Sequence, residues 1–302
     1  MSPYGACLLG SFNLAKYVYP FDGGFSFDLH TLKKDIPHVV RAMDNIHDIS
    51  VFPLEQHKQE SVNKRRMGLG VTGVANAGEA LGFEYGSPPF LTWFEGVMEH
   101  IRNDVYAASV ELAKEKGAFP LFDERYCDSM FIKTLPNELQ QEIREHGIRN
   151  SHLLSVAPAG TISLTADNVS SGIEPVFSHY YDRTIQTYEG VRTERVEDYG
   201  YRVFYVEGKT AHECTPDDHM NVLAIATKYV DSAVSKTVNV SPDMQWDDFK
   251  EIYMQAWKLG CKGCTTFNSG GKRFGILNTV EPKEEEVKAC YIDPNTGQKE
   301  CS

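Results

Sequence analysis

The stretch at residues 150–177 constrains the fold of this chain more than any other. It begins with a short apolar run, LLSVA at 153–157, which breaks at once at PAG, 158–160. A short apolar run with such boundaries is typical of a buried strand in a parallel sheet. Pro158 cannot donate a hydrogen bond to a neighbouring strand and Gly160 tolerates a positive φ, so the sequence predicts that the chain turns there.

The turn is followed by three hydroxyl side chains, on Thr161, Ser163 and Thr165. A turn of this kind leaves several backbone N–H groups pointing in the same direction, and such groups bind anions, most often phosphate. The same residues also fit an ordinary loop after a core strand. The pattern alone leaves both interpretations open.

Five further segments are predicted to be helices. Four of them have apolar residues at spacings of three and four, at 28–49, 90–116, 217–233 and 243–259, and a shorter polar one covers 136–146. Their alternation with short apolar runs predicts an α/β fold in which helices cover a sheet. The aromatic and β-branched residues between 188 and 206 fit either a hairpin or an irregular segment.

Composition excludes several classes of protein. The chain has 302 residues, of which 41% are hydrophobic and 24% charged, as is usual for a globular protein. It contains no apolar run of about 18 residues, so no membrane span is expected. A net charge of −12 argues against a surface that binds nucleic acid duplexes. Seven cysteines, an odd number without a signal peptide, predict reduced thiols and a cytoplasmic location.

Two short motifs admit more than one interpretation. Gly68, Gly70 and Gly73 have the G-x-G-x-x-G spacing of nicotinamide dinucleotide sites, but the segment before them is polar and basic rather than a strand. These glycines are therefore expected to allow a helix to pack closely. The pair Cys261 and Cys264 fits half of a zinc site, a redox pair or two strand residues. Since no second ligand pair lies nearby in sequence, strand residues are favoured and no metal site is predicted.

Six motifs, in order, resemble the catalytic chain of ribonucleotide reductases, and above all the adenosylcobalamin-dependent class II enzymes. They are CLLGSFNL at 7–14, R-x-x-GLGV-x-G at 65–73, APAGTIS at 157–163, SSGIEPVF at 170–177, SKTVN at 235–239 and GCKGCTT at 260–266. Ala159 stands where the family more often has Thr. Class I chains have a tyrosine pair near the last motif, and residues 260–267 contain none. The resemblance implies that 1–278 form the second half of a ten-stranded α/β barrel, incomplete alone, before a charged linker and flexible tail at 279–302.

The same resemblance implies a radical reaction that reduces ribonucleotides to 2′-deoxyribonucleotides. Cys7 matches one cysteine of the pair that delivers the electrons, whereas the residue by itself also fits a buried structural cysteine. The implied substrate contacts fall on Leu9 and on the turn, at Ala159, Gly160, Thr161 and Ile162.

Other parts of the family's site are expected on a partner. The radical cysteine belongs to an Asn-x-Cys-x-Glu loop just before the segment with which this sequence opens, so an N-terminal reductase fragment is expected to supply it and most of the cobalamin site. Cys290 and Cys301 imply a dithiol arm that is reduced by thioredoxin or a glutaredoxin-type protein, and a disordered tail with incidental thiols is the alternative. For the whole chain, the alternative is a non-catalytic nucleotide-binding or scaffold remnant of the barrel.

Overall fold

The computed structural model describes residues 2–188, 190–268, 277–279, 290–292 and 299–301. The helices are α1 (Leu29–Ile49), α2 (Glu55–Lys64), α3 (Val74–Ala80), α4 (Pro88–Lys116), α5 (Asn137–His146), α6 (Gly160–Thr165), α7 (Pro216–Tyr229) and α8 (Trp246–Lys258). The strands are β1 (Leu8–Asn13), β2 (Val18–Phe21), β3 (Gly24–Phe27), β4 (Met67–Thr72), β5 (Tyr180–Thr187), β6 (Gly190–Glu197), β7 (Thr237–Val240), β8 (Thr265–Asn268), β9 (Leu277–Thr279), β10 (Cys290–Ile292) and β11 (Lys299–Cys301). The four helices predicted from apolar spacing and the polar helix predicted at 136–146 are all present, as α1, α4, α7, α8 and α5.

Five parallel segments lie side by side in the order in which they occur along the chain. β1 pairs with β4, and β4 is bridged to the 153–156 segment through Leu69 and Leu154. That segment is bridged in turn to 232–235 through Val156 and Val234, and β7, which follows, pairs with β8. The prediction of a parallel-sheet strand at 153–157 is therefore confirmed.

The array has the form expected of half a ten-stranded barrel. Among the described residues it does not close, since β1 pairs only with β4 and β8 only with β7. The α/β fold class and the incomplete barrel are thus confirmed.

The two faces of the array differ because side chains alternate along a strand. Met67, Leu69 and Val71 of β4 are buried in the main apolar core, against residues of α1 and α4. Gly68 points to the opposite face, where a Cβ would contact Leu9, Ser155 and Cys7. Helices cover the first face, whereas the second carries small and polar residues and Leu9, which is 54% exposed.

The glycines of the G-x-G-x-x-G pattern lie inside β4 and at the start of α3. A Cβ on Gly70 would stand 2.3 Å from the carbonyl oxygen of Ser155, so glycine is required for two strands to approach each other. For Gly68 and Gly70 the expectation of close helix packing was wrong, because a Cβ on either would meet the neighbouring strands, whereas a Cβ on Gly73 would meet Ala15 in a short 3-10 helix. Gly73, with φ of 69°, makes the turn from β4 into α3.

The segment around residues 188–206 is a hairpin followed by a short helical turn. β5 and β6 pair in antiparallel fashion from Tyr180 opposite Glu197 to Thr187 opposite Gly190. A π-helical turn, Gly200–Phe204, follows. β9 pairs with the edge of β5 that β6 leaves free, so Thr279 belongs to the same three-stranded sheet as the hairpin.

Candidate active site

Cys7 lies at the amino end of β1, on the face of the sheet that no described helix covers. It is a half-buried free thiol. The register of β1 against β4, with Leu8 opposite Met67, puts Cys7 beside Arg66. Burial raises the pKa of the Cys7 thiol above its usual value, and the nearby Arg66 opposes this only in part. At neutral pH the group is therefore a thiol that can donate a proton, rather than a thiolate.

The predicted turn is present, but a different residue makes it. Ala159 has φ of 56° and ψ of 12°, in the left-handed region, and it is the N-cap of α6. The expectation that Gly160 supplies the positive φ was wrong, because the helix already begins at Gly160. Apart from the adjacent residues and the backbone of α6 itself, no described atom lies within 4 Å of a Cβ built on Gly160, so the space above the turn is open.

The turn presents backbone donors to this open space. The first hydrogen bond of α6 runs from Ser163 N–H to the carbonyl of Ala159, at 2.9 Å. The N–H groups of Gly160, Thr161 and Ile162 therefore have no partner within the helix. All three residues are exposed. An anion of phosphate size could accept hydrogen bonds from them, as at other helix N-termini.

A second layer of chain, residues 170–174, supports the turn. A Cβ on Gly172, whose φ is 57°, would stand 3.0 Å from the carbonyl oxygen of Ala157 just before the turn. The Ser163 hydroxyl of α6 lies 2.9 Å from the Ser171 hydroxyl. This layer is the SSGIEP motif, so the two motifs that are separate in sequence pack on each other.

The end of β4 holds the beginning of this second layer. Thr72 donates its hydroxyl to the Ser170 carbonyl at 2.9 Å and accepts from Gly172 N–H at 3.1 Å. Buried Asn76 accepts from Ser170 N–H at 2.6 Å and donates to Asp198 at 2.8 Å. Burial raises the pKa of Asp198. Sequence reasoning missed Asn76 and Asp198, because nothing in their local pattern links positions 122 residues apart.

The end of the second layer is held by β7. Glu174 accepts from Lys236 Nζ at 2.6 Å and from Thr237 N–H at 2.7 Å. Lys236 also contacts His219. His219 is fully buried in the first turn of α7. The SKTVN motif was the one available signal, since a lysine between strand residues is rare in a core.

The Cys261 and Cys264 pair lies in the turn between α8 and β8, so its assignment to a strand was wrong. Both are half-buried free thiols packed on a small apolar cluster, and burial raises both pKa values. Between them, Lys262 donates to the carbonyls of 230–232, which fixes the turn against the end of α7. In the described ranges, no group of three or more His, Cys, Asp and Glu residues is arranged to hold a metal ion.

Cys290 and Cys301 are partners in a short antiparallel pair. β10 and β11 place Cys290 opposite Cys301, with Tyr291 opposite Glu300. Residues directly opposite in such a pair have Cα atoms about 4.5–5.5 Å apart, within the range that a disulfide spans. The charged linker predicted before Cys290 lies outside the described residues, as does the turn between the two strands.

A family model for the barrel domain of ribonucleotide reductase matches residues 2–267. The chain belongs to the ribonucleotide reductase family. The vitamin B12-dependent ribonucleoside-diphosphate reductase of Mycobacterium tuberculosis (strain CDC 1551 / Oshkosh) is 32% identical over 93% of this chain and 42% of its own length. The reductase of the same name from Thermoplasma acidophilum is 31% identical over 94% of this chain and 39% of its own length. The ribonucleoside-diphosphate reductase subunit alpha of Treponema pallidum is 25% identical over 76% of this chain and 28% of its own length.

The reductase-family chain spans about two fifths of the length of its vitamin B12-dependent relatives. The family match covers all five parallel segments and the turn at Ala159, and it ends within β8. None of the described helices combines the length and apolar character that a membrane-spanning helix requires.

Proposed function

We propose that this chain is part of an adenosylcobalamin-dependent ribonucleoside-diphosphate reductase of the thioredoxin-disulfide type. The enzyme replaces the 2′-hydroxyl of a ribonucleotide with hydrogen and so provides deoxyribonucleotides for DNA synthesis. The observation that carries this proposal is that a thiol and a turn whose backbone N–H groups have no partner within the helix lie on one sheet. Ser155 lies next to Gly68 and Cys7, and four residues of chain, about 13 Å when extended, lead from it to Ala159.

The substrate phosphates bind the turn in this proposal. The N–H groups of Gly160, Thr161 and Ile162 donate to the phosphate oxygens, Thr161 adds its hydroxyl, and Ala159 sets the direction of the turn. The partial positive charge at a helix N-terminus favours the anion. Leu9, exposed on the same face as Cys7, contacts the nucleoside.

Cys7 supplies one of the two electrons. In the net reaction, two thiols lose two electrons and form a disulfide, while the ribonucleotide loses its 2′-hydroxyl as water and gains hydrogen. Cys7 forms this disulfide with a cysteine of the partner chain. A pKa raised by burial suits Cys7, because the thiol must keep its proton until the hydroxyl leaves.

The tail restores the thiols. A thiolate of the Cys290 and Cys301 pair attacks the disulfide that contains Cys7, the second tail thiol resolves the mixed disulfide, and Cys7 is released as a thiol. The tail disulfide is then reduced by thioredoxin or a glutaredoxin-type protein. The cross-strand register of Cys290 and Cys301 supports this step, because residues directly opposite each other have Cα atoms at a separation that a disulfide can span. A reducing compartment such as the cytoplasm is part of the proposal.

Adenosylcobalamin is the cofactor, because the relatives with the highest identities given above are vitamin B12-dependent. When bound, it supplies the radical that starts the reaction. In this proposal the sheet face that carries Cys7 and the exposed Leu9 forms one wall of the cofactor site, and the partner chain supplies most of the rest.

The partner is an N-terminal reductase fragment that carries the Asn-x-Cys-x-Glu loop. It would pair with the open edges of the array and cover the face that bears Cys7 and Leu9. An unpaired sheet edge favours pairing of this kind.

Complementation tests the proposal. The purified chain should reduce no ribonucleotide, with or without adenosylcobalamin, and a fragment carrying the loop should restore reduction and raise the melting temperature by mass action. A Cys7→Ser chain is the matched control, which should bind the fragment without sustained turnover. Activity of the chain alone would contradict the need for a partner, and a stable but inactive complex would favour a scaffold remnant.

A further inference from the structure

Lys236 is a buried cation that takes part in none of the steps above. Its side chain is 0% exposed. Its ammonium group donates to Glu174 Oε2 at 2.6 Å, to His219 Nδ1 at 2.7 Å and to the carbonyl of Thr237 at 2.8 Å. An ammonium group has three hydrogens, so each of them has an acceptor. Such full pairing is what allows a charge to remain in a protein interior.

The contact with His219 fixes the state of that ring. Because Lys236 can only donate, Nδ1 of His219 must accept, and the single ring proton is then on Nε2. Burial lowers the pKa of His219 to about 3, so the ring is neutral at physiological pH and free to accept. The lysine therefore has one charged partner, Glu174, and two neutral ones.

Glu174 connects the lysine to the turn. One carboxylate oxygen accepts from Lys236 and the other from Thr237 N–H, so both are anchored at the start of β7. Two residues earlier, Gly172 rests on the carbonyl of Ala157 and is held by Thr72 at the end of β4. The second layer is thus fixed at two points, at the end of β4 and at the start of β7. These two strands lie on either side of the 153–156 segment, which leads into the turn.

We propose that Lys236 is a positioning residue for the phosphate-binding turn: through Glu174 it holds the 170–174 layer on which residues 157–163 rest. This inference depends on the proposed function for its purpose, but the mechanical link from Lys236 to the turn can be measured separately. Without the ammonium group, the half-buried Glu174 carboxylate loses its charged partner and keeps only the hydrogen bond from Thr237 N–H. The second layer then detaches from β7, and the backbone donors of the turn lose their common direction.

The first test measures the link in the 302-residue chain alone. Lys236→Met keeps the length of the side chain and removes its charge, and Glu174→Gln is a milder second variant that keeps its volume. Hydrogen–deuterium exchange should become faster in peptides covering 157–163 and 170–174, on the order of tenfold, as for the loss of one charge-assisted hydrogen bond. Exchange reports local opening, so a link confined to this region leaves other peptides unchanged after correction for global stability.

Arg65→Met is the matched control. Arg65 is a buried cation as well, and it donates from Nε to the Asp44 carboxylate at 2.7 Å, in the helix layer on the other face of the sheet. Its loss should lower global stability without selective exchange at 157–163. If the Lys236→Met and Glu174→Gln variants change these peptides no more than Arg65→Met does, the proposal is wrong.

The second test asks whether the link serves phosphate binding. The chain, together with the complementary fragment, is titrated with cytidine diphosphate and with cytidine, which lacks phosphate. Lys236→Met should weaken diphosphate binding by about tenfold and leave cytidine binding within about twofold, which a general loss of folded protein would not do. If the unaltered protein binds both compounds equally, the phosphate role of the turn fails. If it prefers the diphosphate and Lys236→Met keeps that preference, only the positioning role fails.

Discussion

The sulfur of Cys7 is held against Gly68 of the neighbouring strand: a Cβ added to Gly68 would stand 3.0 Å from that sulfur. The same Cβ would lie 2.8 Å from Leu9 and 2.9 Å from Ser155. Only a residue without a side chain leaves this thiol in place between the two strands. The contact ties the CLLGSFNL motif to the GLGV motif.

Replacement of this thiol is the first prediction. In the complemented enzyme, Cys7→Ser should stop multiple turnover with thioredoxin-type reductants, because a hydroxyl cannot form a disulfide and so cannot take part in giving up the two electrons. Cleavage of the cobalt–carbon bond need not stop. The measurement is deoxyribonucleotide formed per chain, with Cys127→Ala, a buried cysteine in the helix layer, as the control. Normal turnover of Cys7→Ser would show that Cys7 is structural.

The open space above Gly160 gives the second prediction. Gly160→Val should fold, since outside the adjacent residues and the backbone of α6 no described atom lies within 4 Å of the new Cβ, but its isopropyl group would occupy the approach to the backbone donors. We expect about tenfold weaker binding of a ribonucleoside diphosphate, the loss of roughly one charge-assisted hydrogen bond. Cys7 should remain titratable with a thiol reagent.

Gly96→Val is the matched control for this variant. Gly96 lies within α4, and outside the adjacent residues and the backbone of that helix no described atom comes within 4 Å of a Cβ built on it, so the variant should fold and leave nucleotide affinity unchanged. Thermal unfolding and a nucleotide titration measure the two effects. Equal affinity of the Gly160→Val variant and the unaltered chain would rule out the turn as the phosphate site.

The third prediction concerns the tail pair. Cys290→Ser or Cys301→Ser should slow turnover with thioredoxin, whereas a small dithiol such as dithiothreitol, which can reach Cys7 directly, should restore it. Cys261→Ser is the control and should turn over normally with either reductant. Failure of both reductants with a tail variant would indicate a folding defect, and normal turnover with thioredoxin would mean that the tail cysteines are not used.

The fourth prediction is a dependence of stability on pH that arises from Glu79. Burial raises the pKa of this carboxyl group from 4.5 to about 8 in the folded state. The folded chain therefore holds a proton that the unfolded chain releases between these values. Its stabilising contribution is complete below about pH 4.5 and is lost as the pH rises towards 8, by a few kcal/mol in all.

Glu79→Gln tests this dependence. The amide keeps an oxygen that can accept from the Lys209 N–H, as the carboxyl does at 2.8 Å, but it does not titrate. Unfolding free energies measured from pH 5 to pH 8 should fall for the unaltered chain relative to the variant. Histidine residues contribute equally to both proteins, so the difference isolates Glu79. Parallel curves would contradict a buried, protonated Glu79.

Much of the local structure is determined by sequence pattern. The helices from Leu29 and from Pro88 follow from apolar spacing, because a helix that packs on a core must repeat its apolar residues every three to four positions. The parallel segment at 153–157 follows from an apolar run too short for a helix. The family could also be identified, since the motifs of the turn and its support are long and consecutive.

The tertiary structure decided what the pattern left open. Whether Ala159 or Gly160 takes the positive φ depends on where α6 begins, and this depends on the 170–174 layer packed beneath the turn. Lys236, His219 and Glu174 form one cluster although they are far apart in sequence, so no local pattern could join them. The function of a buried charge depends on the residues that surround it in space. Those residues are brought together by the side-by-side arrangement of the five parallel segments.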